Sequence, residues 1–135
     1  MNAVAQVVLD ASVGVKWFRD EPGSAEALEL LRTHGRGEIQ LVVPSIFVYE
    51  LVAVATRTMS AADARVFWER FLSWRIAVVE VGGALVHEAL ELQDRLGCSF
   101  YDAVAPALAE RLGAPLYSAD VRAHGLVPDA VVLGR

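Results

Sequence analysis

A short apolar run near the start of the chain, Val7-Val8-Leu9, ends directly on Asp10. Such a run without polar alternation is typical of a strand buried on both faces, as in parallel sheets covered by helices. Asp10 therefore marks the point where this strand leaves the core, and in open α/β sheets that end of a strand is where ligands bind. Asp is also a favoured N-cap, so capping of a helix that begins at Ala11 or Ser12 is the alternative role.

The rest of the chain alternates between short apolar runs and segments of helical periodicity. This alternation predicts an α/β fold with a mainly parallel sheet and helices on both faces. Further strands are predicted at 41–43, 77–79, 116–117 and 131–133, and helices at 24–34, 46–58, from 60, at 84–96 and at 101–112.

Length and composition indicate one domain spanning residues 1–135, since 55% hydrophobic residues supply an ample core. The chain has no apolar run of the ~18 residues that a membrane span needs and no signal-peptide pattern. We therefore expect a cytoplasmic protein that does not enter a membrane. The single Cys98 excludes an internal disulfide and a Cys-rich zinc site.

The charge balance limits how the chain can bind nucleic acid. It carries 17 acidic against 12 basic residues, a net charge of −5, and Lys16 is its only lysine. A general basic surface is absent, so RNA or DNA binding would need the help of a metal ion. The mean hydropathy of +0.40 is high for a monomer of this size, so we expect a homodimer or another bound partner.

Four acidic residues occupy positions where acids are unusual. Asp10 and Asp120 each follow a predicted strand. Glu50 is the only charge in the apolar segment 46–55, which we expect to be a buried helix, and Asp102 is the only charge in 98–109. Each acid taken alone has the alternative role of a helix cap or a hydrogen-bonded core carboxylate.

Taken together, these four acids indicate a metal site. Converging carboxylates raise one another's pKa, and a divalent cation relieves their repulsion. Carboxylates without a Cys or His cluster favour Mg²⁺ or Mn²⁺, which in such sites act on phosphate esters. The predicted chemistry is phosphoryl transfer or phosphodiester hydrolysis.

The same residues stand in four motifs that resemble the PIN domain, and especially the VapC-type toxins of bacterial toxin–antitoxin pairs. The resemblance covers nearly the whole chain. In order, the motifs are Val8-Leu9-Asp10-Ala11-Ser12, Pro44-Ser45-x4-Glu50, Phe100-Tyr101-Asp102-Ala103 with Ala107-Leu108-Ala109-x3-Gly113-x-Pro115-Leu116, and Ser118-Ala119-Asp120.

The resemblance implies a three-layer fold and a Mg²⁺-dependent endoribonuclease, with Mn²⁺ able to substitute, whose products carry 5′-phosphate and 3′-hydroxyl ends. It assigns the ion and the catalysis to Asp10, Glu50, Asp102 and Asp120, and it assigns the positioning of these acids to Ser12 and Ser118. It also implies a VapB-like antitoxin as partner, for which an apolar groove beside the aromatic segment 67–74 is the candidate site. Pro106 departs from the pattern, because it must kink the helix after Asp102 or sit in a first turn.

Basic residues near these acids in sequence are the candidate RNA contacts, with ordinary surface charge as the alternative: Lys16, Arg19, Arg57 and Arg122. Trp17 and Phe18 are expected in the core, although either ring could stack on a base. The histidines His34, His87 and His124 belong to no recognisable nucleophile motif, so surface roles are expected for them.

Other functions remain open. One is a PIN-fold RNA-processing nuclease, or a catalytically degenerate binding module, outside a toxin–antitoxin pair. A phosphate-accepting receiver module is disfavoured because it needs a lysine after its last long strand. A haloacid-dehalogenase-type phosphatase needs a second Asp where this chain has Ser12.

Overall fold

The protein folds around a five-stranded sheet with strand order β3-β2-β1-β4-β5, in which every neighbouring pair is parallel. The structure, a computed structural model, describes residues 4–125 and 127–134. The strands are β1 (Ala5–Leu9), β2 (Ile39–Pro44), β3 (Ala77–Val79), β4 (Leu116–Ser118) and β5 (Val131–Val132). The predicted parallel α/β fold is confirmed.

Seven α-helices connect and cover the strands in the described residues, and none of them is long and apolar enough to cross a membrane. A 3₁₀ turn, Val15–Trp17, follows the first helix. The helices are α1 (Ala11–Gly14), α2 (Ser24–Gly35), α3 (Ser45–Thr58), α4 (Ala61–Ser73), α5 (Gly83–Leu96), α6 (Phe100–Leu112) and α7 (Val121–His124).

Alternation along β1 divides the core into two halves. Val7 and Leu9 point into one half, which α1 to α4 complete, whereas Val8 points into the other, which α5 and α6 complete. Because successive side chains of a strand point to opposite faces, a continuous apolar strand has to be covered on both sides. The structure therefore has the predicted three layers, with the sheet in the middle.

Helix starts follow the sequence signals in most places. Ser60 caps α4 by accepting a hydrogen bond from the Asp63 amide at 3.0 Å, and Ser99 caps α6 through the Asp102 amide at 3.1 Å. The predicted start of the third helix at residue 46, which would make Ser45 its N-cap, is wrong by one residue. Strand β2 continues through Pro44, so Ser45 is already helical, and its hydroxyl accepts a hydrogen bond from the Val81 amide at 3.0 Å instead.

The prediction that α3 is buried on all sides is wrong. Only one stripe, Phe47, Leu51 and Ala55, reaches the core, at the spacing of one helix face. On the other side Tyr49 is 71% exposed, and Glu50 is also exposed. An apolar groove of about 780 Å³ runs between α3 and α4, and we call it the α3–α4 groove; it is lined by Val48, Tyr49, Val52, Ala53, Thr56, Ala61, Ala64, Arg65 and Trp68.

The aromatic residues mainly build the core beneath this groove, as expected. Trp17 lies with its ring centre 5.5 Å from that of Trp74, and its indole N–H donates to the Ala27 carbonyl at 3.0 Å. Phe67 and Phe71 are buried. These rings fix α4 against the layer that carries α1.

Two of the three histidines are not surface residues. His34 is half-buried, where its Nδ1 accepts from the Leu41 amide at 3.1 Å and its Nε2 lies 2.7 Å from the Trp74 carbonyl. His124 is 1% exposed. His87 is exposed, as expected. Sequence spacing missed the first two because their partners, three main-chain groups and the Ser118 hydroxyl, belong to other elements of the fold.

Candidate functional site

The candidate site lies at the carboxyl ends of β1 and β4. The strand order reverses between these two strands, because β2 and β3 lie on one side of β1 whereas β4 and β5 lie on the other. Such a switch point opens a crevice at the carboxyl edge of a parallel sheet. The Asp10 amide still donates to the Tyr117 carbonyl at 3.0 Å, so the chain segments that carry Asp10 and Asp120 leave the sheet side by side.

Asp10 caps α1, and it also lies at the edge of the crevice. Its Oδ2 accepts hydrogen bonds from the Ser12 amide at 3.0 Å and from the Ser12 hydroxyl at 2.6 Å. Its Oδ1 has no hydrogen-bond partner in the described part of the chain. The capping role is therefore observed, and it leaves one carboxylate oxygen available to a ligand.

Asp120 and Asp102 also have carboxylate oxygens that are available to a ligand. Asp120 caps α7, since its Oδ1 accepts from the Ala123 amide at 3.0 Å, and its side chain is exposed. Asp102 is half-buried in the first turn of α6, where Ser99 satisfies its backbone amide. A carboxylate in the first turn interacts favourably with the helix dipole, and the carboxylate of Asp102 has no side-chain hydrogen-bond partner in the described residues.

Glu50 comes close to the other acids because α1 and α3 pack tightly. Gly14 makes this approach possible: a Cβ at that position would lie only 2.7 Å from the Phe47 ring. The pKa of Glu50 is raised from 4.5 to about 7, first because its carboxyl is partly desolvated and then because Asp10 and Asp102 carry like charges, while His124 acts in the opposite direction. Although the residue is exposed as a whole, its carboxyl group therefore belongs to the acidic cluster.

The four acids line two neighbouring depressions, with two acids in each. Asp102 and Asp120 line a cleft of about 450 Å³, together with Cys98 and Arg122. Asp10 and Glu50 line a narrow depression, together with Tyr101. The two depressions lie close enough for the charge of Asp102 in one to raise the pKa of Glu50 in the other.

The chemistry of this donor set fits a hard divalent cation. None of the four acids forms an ion pair with a lysine or arginine in residues 4–125 and 127–134. All the available donors are carboxylate oxygens, which suit Mg²⁺ or Mn²⁺. No three acidic, histidine or cysteine side chains of those residues stand close enough to share an ion, so the carboxylates would have to turn toward one another to hold it.

Ser12 and Ser118 connect the two strand ends. The Ser12 hydroxyl accepts from the Ala119 amide at 2.9 Å while it donates to Asp10. The fully buried Ser118 hydroxyl accepts from the Asp120 amide at 3.1 Å. Both serines therefore contact the segments that carry the acids.

Lys16 lies inside the protein, away from solvent. It is 6% exposed, and its ammonium donates to Glu21 Oε1 at 3.0 Å and to the Pro22 carbonyl at 2.6 Å. A buried, paired ammonium is not free to meet a phosphate. The predicted RNA contact of Lys16 stays a prediction that this geometry disfavours.

The three candidate arginines occupy different places. Arg122 lines the cleft that contains Asp102 and Asp120. Arg19 lies 3.9 Å from Glu21, and Arg57 is exposed in the last turn of α3, about 10 Å along the helix from Glu50. Arg122 is therefore the one of the four predicted cations that shares a cleft with predicted metal ligands.

His124 is the site residue that the sequence analysis missed. It lies between Ser118 and Asp102, 2.7 Å from the Ser118 hydroxyl and 2.9 Å from the Asp102 carbonyl. A signal was present in the sequence: Pro106 cannot donate to the carbonyl four residues before it, so Asp102 needs a donor from elsewhere.

Several known structures share this fold, among them toxin–antitoxin complexes. The structure of VapBC2 from Rickettsia felis bound to a promoter DNA fragment matches with a TM-score of 0.71 and 17% identity, over 94% of this chain and 96% of that chain. DNA-bound VapBC from Salmonella typhimurium matches with a TM-score of 0.74 and 15% identity, over 96% and 97% of the two chains.

A third structure, Mycobacterium tuberculosis VapC20, described as a Sarcin-Ricin loop cleaving toxin, matches with a TM-score of 0.74 and 17% identity, over 94% of this chain and 98% of that chain. At these identities the likeness shows a shared fold. No curated protein matches the chain in sequence. The sequence does match the PIN domain family over residues 7–126, which include all four acids and most of the chain. With its strand order, its acidic crevice and this match in agreement, the protein belongs to the PIN domain family.

Proposed function

We propose that this protein is a Mg²⁺-dependent endoribonuclease and the toxin of a type II toxin–antitoxin pair, acting in the cytoplasm. The observation that carries the proposal is the group of four acids at the switch point of a PIN fold, without a basic partner in the described residues. An uncompensated acidic crevice repels RNA unless a cation occupies it. The site is therefore complete only with a metal, and with that metal it suits a phosphodiester.

The four acids have separable roles in this proposal. Asp10, Asp102 and Asp120 would hold the ion, directly or through water. Asp10 and Asp120 would use the oxygens that helix capping leaves free, and Asp102 would use a carboxylate without a side-chain partner in the described residues. When bound, the ion lowers the pKa of a coordinated water and offsets negative charge on the phosphate. Glu50, beside Asp10 and Asp102, completes the set by binding the ion or by orienting the attacking water.

Contacts to RNA would be few and local. Arg122, which lines the cleft of Asp102 and Asp120, would meet a phosphate next to the scissile bond. With a net charge of −5, the surface as a whole adds little attraction. Mycobacterium tuberculosis VapC20, which has the same fold, is described as cleaving the sarcin-ricin loop, and this supports RNA as the substrate class.

An antitoxin is the proposed protein partner. Several structures with this fold are toxin–antitoxin complexes, among them VapBC2 and FitAB. The α3–α4 groove offers an apolar surface with exposed Tyr49 and half-buried Val52 and Trp68, which suits the apolar face of an amphipathic segment. A homodimer is also proposed, because the mean hydropathy of +0.40 is high for a lone chain of this size.

Purified protein incubated with total cellular RNA tests the nuclease directly. We expect discrete fragments with 5′-phosphate and 3′-hydroxyl ends in Mg²⁺ or Mn²⁺, and intact RNA in EDTA. Co-expression with the protein encoded by the neighbouring reading frame tests the toxin role. Growth arrest that this second protein relieves supports the toxin, whereas cleavage without toxicity favours an RNA-processing nuclease.

A second candidate function is a degenerate PIN module that binds without cleaving. The observation in its favour is that no three candidate ligands stand close enough to share an ion in the described residues. Calorimetry with Mn²⁺ separates the two functions, because a degenerate module would show neither metal binding nor cleavage.

A further inference from the structure

We propose that His124 is a positioning residue of the metal site: it replaces a hydrogen bond that Pro106 removes from α6 and thereby holds Asp102 against the segment that carries Asp120. The inference rests on the proposed function of the site, and it assigns to this chain a device that the four acids alone do not contain.

Pro106 leaves a gap in the hydrogen bonding of α6. It is the seventh residue of this thirteen-residue helix, well past the first turn. Proline has no amide hydrogen to donate to the carbonyl four residues before it, here that of Asp102, and its ring pushes that carbonyl away from the helix axis. The carbonyl of a proposed metal ligand thus needs a donor from outside the helix.

His124 supplies this donor from α7. Its Nε2 lies 2.9 Å from the Asp102 carbonyl oxygen, and its Nδ1 lies 2.7 Å from the Ser118 hydroxyl. A carbonyl can only accept, so Nε2 of His124 carries a proton and donates it to the Asp102 carbonyl, while Nδ1 makes the contact with the Ser118 hydroxyl. With 1% of the residue exposed, water does not replace either contact.

Polar contacts continue from His124 to the remaining strand end. Ser118 accepts from the Asp120 amide at 3.1 Å and lies 3.4 Å from the Ser12 hydroxyl. Ser12 in turn donates to Asp10 at 2.6 Å. One polar chain therefore joins three of the four acids, and His124 is its only link to α6 in the described residues.

Pro106 and His124 are consequently expected to act as a pair. An amide hydrogen at position 106 would satisfy the Asp102 carbonyl within the helix and make His124 dispensable at that point. A histidine that merely filled space would show no such dependence on residue 106. Rescue by a substitution at position 106 is therefore the distinctive prediction.

The test is a double-mutant cycle with Mn²⁺ affinity, measured by calorimetry without RNA, as the readout. His124→Asn keeps a polar group near Ser118 but is too short to reach Asp102, whereas His124→Gln is long enough to reach it. We expect His124→Asn to weaken Mn²⁺ binding by about tenfold, in line with other residues that orient metal ligands. The double variant His124→Asn, Pro106→Ala should bind Mn²⁺ with an affinity within about threefold of the wild type. Pro106→Ala alone and His124→Gln alone should each weaken Mn²⁺ binding by less than about threefold.

A spectroscopic measurement accompanies the cycle. Long-range proton–nitrogen correlation NMR should show the Nε2–H tautomer of His124 in the wild type. If His124→Asn does not fold, recovery of both folding and Mn²⁺ binding in the double variant carries the same test.

Three outcomes would overturn the inference: unchanged Mn²⁺ binding in His124→Asn, failure of Pro106→Ala to restore binding to a folded His124→Asn, or the Nδ1–H tautomer. Mn²⁺ binding without RNA cleavage would contradict the nuclease alone and leave the role of His124 standing. Absence of Mn²⁺ binding in the wild type would contradict the metal site and with it that role.

Discussion

The hydroxyl oxygens of Ser12 and Ser118 lie 3.4 Å apart, although 106 residues separate them in the chain. This proximity follows from the parallel pairing of β1 with β4, in which Val8 aligns with Leu116 and Leu9 with Tyr117. The sheet thus brings two strand ends together, and each strand end carries an acid. The pairing of β1 with β4 is therefore enough to bring the segments that carry Asp10 and Asp120 together.

Removing the charge of Asp102 should abolish the proposed toxicity and leave the fold intact. Asp102→Asn removes a carboxylate that makes no side-chain hydrogen bond in the described residues, and it also relieves repulsion on Glu50. We expect growth arrest to disappear, while the free energy of unfolding changes by about 1 kcal/mol or less. Asp94→Asn, an exposed change on α5, is the matched control and should remain toxic. Equal loss of folding and toxicity in Asp102→Asn would show that this acid is structural.

Ser12 should matter for stability as well as for the site. Ser12→Ala removes the hydroxyl that donates to Asp10 at 2.6 Å and accepts from the Ala119 amide at 2.9 Å. Leaving these partners unsatisfied should lower the free energy of unfolding by about 1–3 kcal/mol in urea titrations. Ser73→Ala, on the exposed end of α4, should change it by less than about 0.5 kcal/mol. A Ser12→Ala variant as stable as Ser73→Ala would argue against the bridge between the strand ends.

Glu50 should make the metal-free protein less stable as the pH rises. Its pKa is raised in the folded state, to about 7, so the folded protein holds this proton at pH values where the unfolded chain has released it. Stability contributed by the protonated form is present below about pH 4.5 and is lost as the pH rises toward 7. Glu50→Gln should therefore gain stability relative to the wild type between pH 5 and 8, and Mg²⁺ should reduce this difference at pH 8. The range of roughly pH 5 to 8 follows from the raised pKa of Glu50.

Thermal midpoints in EDTA across this pH range provide the measurement. Glu69→Gln, an exposed change on α4, is the control and should follow the wild type at every pH. If the Glu50→Gln and wild-type curves run parallel, neither desolvation nor the like charges of Asp10 and Asp102 raise the pKa of Glu50.

The α3–α4 groove should govern partner binding independently of catalysis. Val52→Glu places a charge inside this groove and should weaken antitoxin binding by at least about tenfold, roughly 1.4 kcal/mol. Val66→Glu lies on α4 outside the groove and should leave binding unchanged. Both variants should cleave RNA at the wild-type rate. Equal antitoxin affinities for the two variants in a calorimetric titration would place the partner elsewhere.

Features dictated by hydrophobic patterning were predictable from the sequence. The run Val7-Val8-Leu9 indicated a strand covered on both faces, and the structure places Val8 in one half of the core and its neighbours in the other. Asp10 and Asp120 were also predictable, because an acid at or just beyond the end of a buried strand is conspicuous.

Features that depend on distant contacts were not predictable. Segment 46–55 is apolar all round, yet the sequence does not say that one side of α3 would face an open groove. Lys16 was predicted as a candidate RNA contact, but in the fold its ammonium donates to Glu21 and to the Pro22 carbonyl. His124 has partners 6 and 22 residues away, and neither lies at helical spacing. Local periodicity carries no information about such contacts.

The most direct test of the account compares RNA cleavage by the wild type, Asp10→Asn and Asp94→Asn, each in Mg²⁺ and in EDTA. Asn retains the capping of α1, so Asp10→Asn should fold while it loses one metal ligand. The account predicts discrete fragments from the wild type and from Asp94→Asn in Mg²⁺ only, and none from Asp10→Asn in either condition. Cleavage that persists in EDTA, or in folded Asp10→Asn, would contradict it.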